Sequence, residues 1–317
     1  MNNCLVFGEA LVDEFPDQSV IGGAPFNVAR SLALLGVENV IVTRIGEDAH
    51  GQAILQECER CGLNTASVQV DPIHSSGRVA VHLQADGHGH RFEILPEQAY
   101  DYIDVEQAVA TITQAFPEYP PDLVYFGSMI QRQAVSRACL FALLESEVCD
   151  GSTKFLDLNL REGQFDLESV QTSLSYADIV KLNEDELRYV LAEALPQPYA
   201  HAVTLTVKSL ELACRAVMAE YMMQVVIVTL GEAGYFYLNA QDEVYTSLGQ
   251  AKAIPDAGWQ LRDTVGAGDA FSACFIRGWL ANRPMNEVLE QANAFATAIC
   301  GVRGALAPDS TFYQAWR

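Results

Sequence analysis

Continuous apolar runs, rich in β-branched residues and bounded by turns, alternate along the chain with stretches of helical periodicity. Apolar runs without polar alternation are typical of strands that are covered on both faces of a sheet. The predicted strands are 4–7, 39–45, 122–126, 154–158, 179–182 and 225–230. The predicted helices are 26–35, 49–61, 105–116, 133–145 and 184–193. This alternation predicts βαβ units and an α/β fold with a mostly parallel central sheet between helical layers.

The segment 78–95 follows a different pattern. Residues 78–85 alternate, with Val79, Val81 and Leu83 on one side. A polar turn at 86–90 and a second short run at 91–95 follow, which together predict an antiparallel hairpin outside the main sheet. Such a hairpin could serve as a flap over an active site, as a dimer contact or as surface decoration.

The bulk composition limits what the chain can do. It has 317 residues, of which 50% are hydrophobic, so it can bury a large core, and we interpret 1–317 as a single domain. The net charge of −22 argues against a nucleic-acid-binding protein, which would need clustered Lys and Arg. The same charge would repel a nucleotide on average. Any phosphate site must therefore be built locally from backbone N–H groups, a few cations and bound metal.

Targeting signals and disulfides are not expected. The apolar run near the amino terminus is broken by Glu9 and Asp13, and no stretch of eighteen apolar residues occurs, so we expect a cytoplasmic protein without a membrane span. Eight cysteines in a chain of this length are not a disulfide framework. Cys58 and Cys61 form the only CxxC pair, and an ordinary helix end is a better interpretation than a metal or redox site.

A first glycine-rich run begins at Gly22. Paired glycines, Gly22 and Gly23, allow the backbone to approach a ligand closely, and Pro25 suits the first turn of a helix. Asn27 would then lie in that first turn, with its side chain facing whatever occupies the glycine turn. Alone, the run could equally be a tight turn before a helix.

A second run, from Asp263 to Asp269, ends at the start of another predicted helix. The small residues Gly266, Ala267 and Gly268 leave backbone N–H groups free to converge on one point, which favours an anion hole supported by the helix dipole. A carboxylate at Asp269 could accept a hydroxyl proton while those groups stabilise a transferring phosphoryl group. A simple complement to the helix dipole is the alternative for Asp269.

Taken together, these two runs resemble the two signatures of the PfkB, or ribokinase-like, carbohydrate kinase family. The first also matches at Gly36 and Gly46, and the second departs only at Cys274, where Ala or Gly is usual. The resemblance extends over essentially the whole chain. It implies a ribokinase-like three-layer α/β/α sandwich with a small β lid, drawn from about 9–20 and 75–102, and an ATP-dependent sugar kinase with Asp269 as base.

The resemblance also assigns the acceptor side. It implies that Asp13, Gly22, Gly23 and Asn27 hold the sugar. The run from Asp157 to Arg161 resembles the DxNxR motif of fructokinase-like members, and Arg161 offers a forked cation for phosphate.

The nucleotide side follows from the same resemblance. Asn183 and Glu186 match the NxxE motif, which helps to organise Mg²⁺ and phosphate through water, and they also resemble a helix capping box. The other implied nucleotide-side positions are Thr229, Gly231, Gly234 and Asn293. Asp263 and the backbone at Val265 resemble a monovalent-cation site, which implies K⁺ as a further activator besides Mg²⁺ and ATP.

Several alternatives stay open. The motifs look most like those of fructokinases, and a 2-keto-3-deoxygluconate kinase, which should need an extra cation for its acidic sugar, is the nearest alternative. A non-catalytic sugar-sensing relative is an alternative of another class, although such a protein is expected to lose Asp269 or the glycines. No G-x-G-x-x-G follows the first strand, and no P-loop motif occurs. The expected partners are a sugar and ATP, with a homodimer through the β lid as a further expectation.

Overall fold

The computed structural model describes residues 3–15, 18–83, 90–197, 199–250 and 259–317. Its strands are β1 Asn3–Phe7, β2 Leu11–Glu14, β3 Ser19–Gly22, β4 Glu38–Gly46, β5 Val68–Asp71, β6 Gly77–Leu83, β7 His90–Ile94, β8 Leu123–Gly127, β9 Thr153–Asp157, β10 Ile179–Asn183, β11 Val225–Thr229, β12 Tyr235–Asn239 and β13 Val244–Thr246. Its α-helices are α1 Ala24–Leu34, α2 Ala49–Cys61, α3 Val105–Ala115, α4 Ala134–Leu144, α5 Leu167–Tyr176, α6 Glu184–Tyr189, α7 Val207–Tyr221, α8 Ala267–Leu280, α9 Met285–Ile299 and α10 Thr311–Gln314.

A nine-stranded sheet forms the centre of the molecule, in the order β13-β12-β11-β10-β9-β8-β1-β4-β5. The strands from β11 to β5 are parallel, and β12 and β13 extend one edge in antiparallel pairing. In such a sheet the carboxyl ends of the parallel strands meet at one edge, where α/β proteins place their ligands.

Both faces of this sheet are covered by helices, which explains the continuous apolar runs in the sequence. In β1, Leu5 and Phe7 belong to one core layer, which also contains apolar residues of α3, α4, α5 and α7. Cys4 and Val6 belong to the other layer, with residues of α1, α2, α8 and α9. The predicted three-layer architecture is confirmed, and each of the six predicted strands is present within a residue or two of its predicted bounds.

A separate four-stranded sheet has the order β3-β2-β6-β7. The predicted hairpin is present as the antiparallel pair β6–β7, although 86–89 of its turn lie outside the described residues. The hairpin joins a second hairpin, β2–β3, through parallel pairing of β2 with β6. Close approach requires glycine at the start of β6, because a Cβ at Gly77 would lie 2.8 Å from the carbonyl oxygen of Ala10.

Some elements differ from the sequence prediction. The helix predicted over 184–193 ends as α6 at Tyr189 and continues as a π-helical turn, Val190–Ala194. Strands β5, β12 and β13 and helices α5 and α7 were not predicted. Cys58 and Cys61 are buried near the end of α2, and no group of three or more metal-ligating side chains occurs among the described residues. Within the same residues, no helix is long and apolar enough to cross a membrane.

Candidate active site

A cleft of about 480 Å³ opens at the carboxyl edge of the central sheet, with the small sheet on its other side. The strand ends contribute through Asp157 of β9, Asn183 of β10 and Thr229 of β11. The residues that line the cleft are Glu9, Leu11, Asp13, Gly23, Ala24, Asn27, Val79, Ile94, Met129, Asp157, Asn159, Arg161, Lys181, Asn183, Glu186, Thr229, Thr264, Val265, Gly266, Gly268 and Asp269. The cleft therefore brings together most of the residues singled out in the sequence.

The amino terminus of α8 forms one wall of the cleft. Gly266 is its N-cap, with φ of 77°, and a Cβ there would lie 2.4 Å from that of Ala305, so both backbone geometry and packing require glycine. Among the described residues, the N–H groups of Gly266 and Gly268 have no hydrogen-bond partner, whereas that of Ala267 donates to the carbonyl of Thr264 at 3.3 Å. The wall therefore offers free N–H donors at a helix N-terminus, which is the arrangement that binds anions.

Asp269 lies in the first turn of α8, and a chain of hydrogen bonds orients it. The Asn27 amide Nδ2 donates to Asp269 Oδ2 at 2.7 Å. Arg30 donates to Asn27 Oδ1 and pairs with Glu57 at 2.8 Å. The amide oxygen of Asn27 therefore faces Arg30 and its nitrogen faces Asp269, which fixes the orientation of the amide group. Asn27 thus contacts the candidate base directly, which the sequence did not indicate.

The charge state of Asp269 reflects its surroundings. Burial in the cleft wall is the largest effect and raises the pKa of Asp269 to about 6, and the nearby Asp157 adds to the increase. The hydrogen bond from Asn27 and the charges of Lys181 and Arg161 act in the opposite direction. A carboxylate with a pKa near 6 is ionised at neutral pH and is still a stronger base than an exposed aspartate, which suits general base catalysis.

Two further carboxyl groups, Asp13 and Glu9, lie at the small-sheet side of the cleft. Burial raises the pKa of Asp13 to about 6 and that of Glu9 to about 7. Gly22 leaves room for Asp13, because a Cβ there would be 2.9 Å from Asp13 Oδ2, and a Cβ at Gly23 would be 2.5 Å from the Glu9 carbonyl oxygen. The predicted glycines therefore let the chain pack closely around both acids.

Glu9 is a further candidate site residue, which the sequence motifs did not indicate. It is only 3% exposed and lines the cleft, and its Oε2 atom has no hydrogen-bond partner among the described residues. A buried carboxyl oxygen without a partner is uncommon and points to a functional position. The available signal was an acid placed between two apolar strand segments, where a solvated residue is not expected.

Arg161 and Asn159 follow β9 and line the cleft. Arg161 is exposed and makes no ion pair within the described part of the chain, and its charge lowers the pKa of Glu9, Asp13 and Asp269. The predicted phosphate-binding cation thus lies within reach of the acceptor-side acids as well. Asn159 has a φ of 39°, in the left-handed region that Asn tolerates better than most residues.

Asp157 and Lys181 form a buried ion pair in the lining of the cleft. They are opposite each other on β9 and β10, and Lys181 Nζ lies 2.8 and 2.7 Å from the two carboxyl oxygens. Exposure is 2% for Asp157 and 5% for Lys181. The sequence pattern indicates no role for either side chain, because each lies in an apolar strand and only the register between strands shows that they meet.

The predicted capping box at Asn183 and Glu186 is present at the start of α6. Asn183 Oδ1 accepts from the Glu186 N–H at 2.9 Å, and Glu186 Oε2 accepts from the Asn183 N–H at 2.8 Å. Glu186 Oε1 accepts from the Leu160 N–H at 2.8 Å. Both carboxyl oxygens are thus occupied by backbone donors, which fits contact with Mg²⁺ through water rather than direct ligation.

The remaining nucleotide-side residues divide into two groups. Thr229 lines the cleft, whereas Gly231, Gly234 and Asn293 are not part of its lining. Gly234 and Asn293 are nevertheless close, since a Cβ at Gly234 would lie 3.6 Å from Asn293 Oδ1. The structure therefore places Asn293 beside the loop that follows β11.

Asp263, the predicted K⁺ ligand, is tied to the backbone. Its Oδ1 accepts from the Val265 N–H at 3.0 Å and its Oδ2 from the Gly304 N–H at 3.1 Å. These bonds hold the loop before α8 against the loop that follows α9. A monovalent cation at this position would have to share an already hydrogen-bonded carboxylate with those donors.

The family model for the pfkB family carbohydrate kinases matches residues 7–311. The chain belongs to this family of carbohydrate kinases. Among curated relatives, a fructokinase of Salmonella typhimurium is 25% identical over 95% of this chain and 95% of its own length. Fructokinase-1 of Oryza sativa is 26% identical over 95% of this chain and 92% of its own length.

Solved structures show the same fold. A Xylella fastidiosa fructokinase with bound ATP is similar with a TM-score of 0.78 and 19% identity, covering 99% of this chain and 98% of its own. A Vibrio cholerae fructokinase with fructose, ADP and calcium is similar with a TM-score of 0.76 and 22% identity, covering 100% of this chain and 99% of its own. The ribokinase-like fold predicted from the sequence is confirmed.

Proposed function

We propose that this protein is an ATP-dependent sugar kinase that transfers the γ-phosphoryl group of ATP to a hydroxyl of fructose. The observation that carries the proposal is the position of Asp269, which lies in one cleft wall beside the N–H groups of Gly266 and Gly268. Neither N–H group is hydrogen-bonded within the described part of the chain. A base and an anion site at one helix N-terminus are what phosphoryl transfer to a hydroxyl needs.

In this mechanism Asp269 accepts the proton of the attacking hydroxyl, and Asn27 keeps its carboxylate oriented. Gly266 and Gly268 donate N–H groups to the charge that spreads over the transferring phosphoryl oxygens. Asp13 and the backbone at Gly22 and Gly23 hold the sugar. Arg161 is the exposed guanidinium of the cleft and clamps the phosphate, as its lack of an ion pair among the described residues allows.

The nucleotide is assigned to the side of the cleft that contains Asn183, Glu186 and Thr229. Its adenine ring is assigned to the neighbourhood of Gly231, Gly234 and Asn293. Asn183 and Glu186 would hold Mg²⁺ through water, and the ion would supply positive charge at the phosphates. K⁺ beside Asp263 and Val265 would share the Asp263 carboxylate with the backbone donors that already contact it.

The acceptor side favours a neutral sugar over 2-keto-3-deoxygluconate. Glu9 and Asp13 both present carboxyl groups there, and Arg161, the cation that acts on both, is already assigned to the phosphate. Carboxyl oxygens accept hydrogen bonds from sugar hydroxyls, whereas the carboxylate of an acid sugar would be repelled. Curated relatives named fructokinase support the same choice.

The small sheet is proposed to act as a lid. Leu11, Asp13 and Val79 of its strands line the same cleft as Asp269, so closure would remove the sugar and the γ-phosphate from water. A homodimer through this sheet stays a prediction.

The test is a panel of sugars assayed with Mg·ATP, with and without potassium. We expect the highest kcat/KM with fructose and a much lower value with 2-keto-3-deoxygluconate. A preference for the acid sugar would overturn the assignment of the acceptor. Absence of phosphorylation of any sugar by the folded protein would favour the non-catalytic alternative.

A further inference from the structure

Asp157, the last residue of β9, receives hydrogen bonds from three different elements. Lys181 of β10 contacts both of its oxygens, at 2.8 and 2.7 Å. Tyr125 of β8 donates its hydroxyl at 3.2 Å, and Ser272 of α8 donates at 2.8 Å. Because the residue is only 2% exposed, these bonds form where water competes little for them.

The contact with Ser272 reaches the candidate catalytic helix. Ser272 is one turn beyond Asp269, so both side chains lie on the same face of α8. The Ser272 hydroxyl is also 3.1 Å from the carbonyl oxygen of Gly268, but its single proton can go to one acceptor at a time. The shorter bond to a charged acceptor is the stronger one, so Ser272 ties α8, one turn beyond Asp269, to the end of β9.

Lys181 brings its charge to the same turn. Its Nζ atom lies 3.5 Å from the position that a Cβ would take at Gly268. The pair of Asp157 and Lys181 therefore borders the helix N-terminus that carries the N–H groups of Gly266 and Gly268.

We propose that Asp157 is a positioning residue for phosphoryl transfer, which holds the first turn of α8, with Asp269 and its neighbouring N–H groups, against the ends of β8, β9 and β10. This inference rests on the proposed function, in which Asp269 is the base. It assigns to the Asp of the DxNxR run a role distinct from substrate contact.

The charge of Asp157 has a second effect, on the basicity of Asp269. After burial, Asp157 is the group that raises the pKa of Asp269, and Lys181 and Arg161 lower it. Glu9 and Tyr125 also face this region, and the pKa of each is raised in part by Asp269. Removal of the Asp157 charge leaves the two cations unopposed, so the pKa of Asp269 should fall.

The test compares Asp157→Asn, Lys181→Met and the double variant in steady-state assays across pH. Asp157→Asn keeps the shape of the side chain, and we expect kcat to fall by about 10- to 100-fold, as for other displaced catalytic groups. The acid limb of kcat/KM should move to lower pH in Asp157→Asn, to higher pH in Lys181→Met, and back towards the wild-type position in the double variant.

The matched control is Asp178→Asn. Asp178 directly precedes β10 and so lies at the amino end of that strand, away from the cleft. Asp178 accepts from the Lys154 N–H at 2.8 Å and from Gln224 Nε2 at 3.2 Å, so it resembles Asp157 in carrying hydrogen bonds between strands. This variant should lower the melting temperature and leave the acid limb in place.

An unmoved acid limb with kcat within about threefold of wild type, in folded Asp157→Asn protein, overturns the inference. If that variant does not fold because Lys181 is left unpaired, the double variant decides. In the double variant, an acid limb at the wild-type pH together with a reduced kcat supports the inference, and a wild-type kcat overturns it. Turnover retained by Asp269→Asn would instead contradict the proposed function, so the two failures are distinguishable.

Discussion

Two groups of acids, one in the cleft and one near the start of α2, show what the fold does with the same carboxyl group. In the cleft, burial raises the pKa of Glu9, Asp13 and Asp269. At the start of α2, burial also acts to raise the pKa of Asp48, but hydrogen bonds from Gly51 and Ser76 outweigh it and lower that pKa.

The difference lies in the supply of donors. Asp48 accepts from the Gly51 N–H at 2.8 Å, the Ser76 N–H at 2.9 Å and the Ser76 hydroxyl at 2.7 Å. Asp71 is similar, with the N–H groups of Ile73 and His74 at 2.7 and 2.8 Å. Fully satisfied carboxylates stabilise the fold, whereas carboxyl groups with few donors remain reactive and available for a ligand.

The largest effect is expected from Asp269→Asn. The variant keeps its shape and can still contact Asn27, so folding and sugar binding should persist. Loss of the base should lower kcat by about 10²–10⁴, the usual contribution of a positioned base. Steady-state kinetics with fructose and Mg·ATP, together with circular dichroism, measure this. Near-normal turnover would show that Asp269 is not the base and would place it with Asp48 among the acids that stabilise the fold.

A smaller effect, on stability rather than on turnover, is expected from Asp48→Ala. This change removes the N-cap of α2 and leaves the donors of Ser76 without their acceptor. The free energy of unfolding should fall by about 2–4 kcal/mol, a helix cap plus unsatisfied donors. Denaturant titration gives the value, and kcat of the folded variant should stay within about twofold of wild type. A large loss of kcat without loss of stability would remove the distinction between the two groups.

The smallest effect concerns the sign of pH dependence. The raised pKa of Glu9 means that the folded protein binds its proton more tightly than the unfolded chain does, so this group disfavours folding increasingly as pH rises from about 4 to about 7. Glu9→Gln should therefore match wild type near pH 4, below the unfolded pKa, and exceed its melting temperature by about 1–3 °C near pH 8. Thermal scans across pH measure the difference.

The control for this prediction is Asp48→Asn, where the sign reverses. Because the pKa of Asp48 is lowered, its ionised form favours folding above the unfolded pKa, and that contribution is lost as pH falls. The Asn variant should be less stable than wild type at pH 8, with a gap that narrows towards pH 3. If the stability difference from wild type changed in the same direction with pH in Glu9→Gln and in Asp48→Asn, the comparison between the two groups of acids would be refuted.

The sequence by itself determined the layers and the first members of the site. Continuous apolar runs predicted buried parallel strands, since both faces of the sheet need apolar side chains, and β1 supplies each core layer from alternate residues. The paired signatures around Gly23 and Asp269 predicted the family and the helix N-terminus at Gly266. These features depend on residues close together in the chain, so local pattern is sufficient to find them.

Only the tertiary structure decided how those residues are connected. Asn27 and Asp269 are hydrogen-bonded across 242 positions of the chain, and Asp157 meets Ser272 across 115. Glu9 became notable only when its burial and unpaired oxygen were seen. A residue type indicates which hydrogen bonds a side chain can make. Strand register and helix packing determine which ones it does make, and these contacts set the charge and orientation of the candidate base.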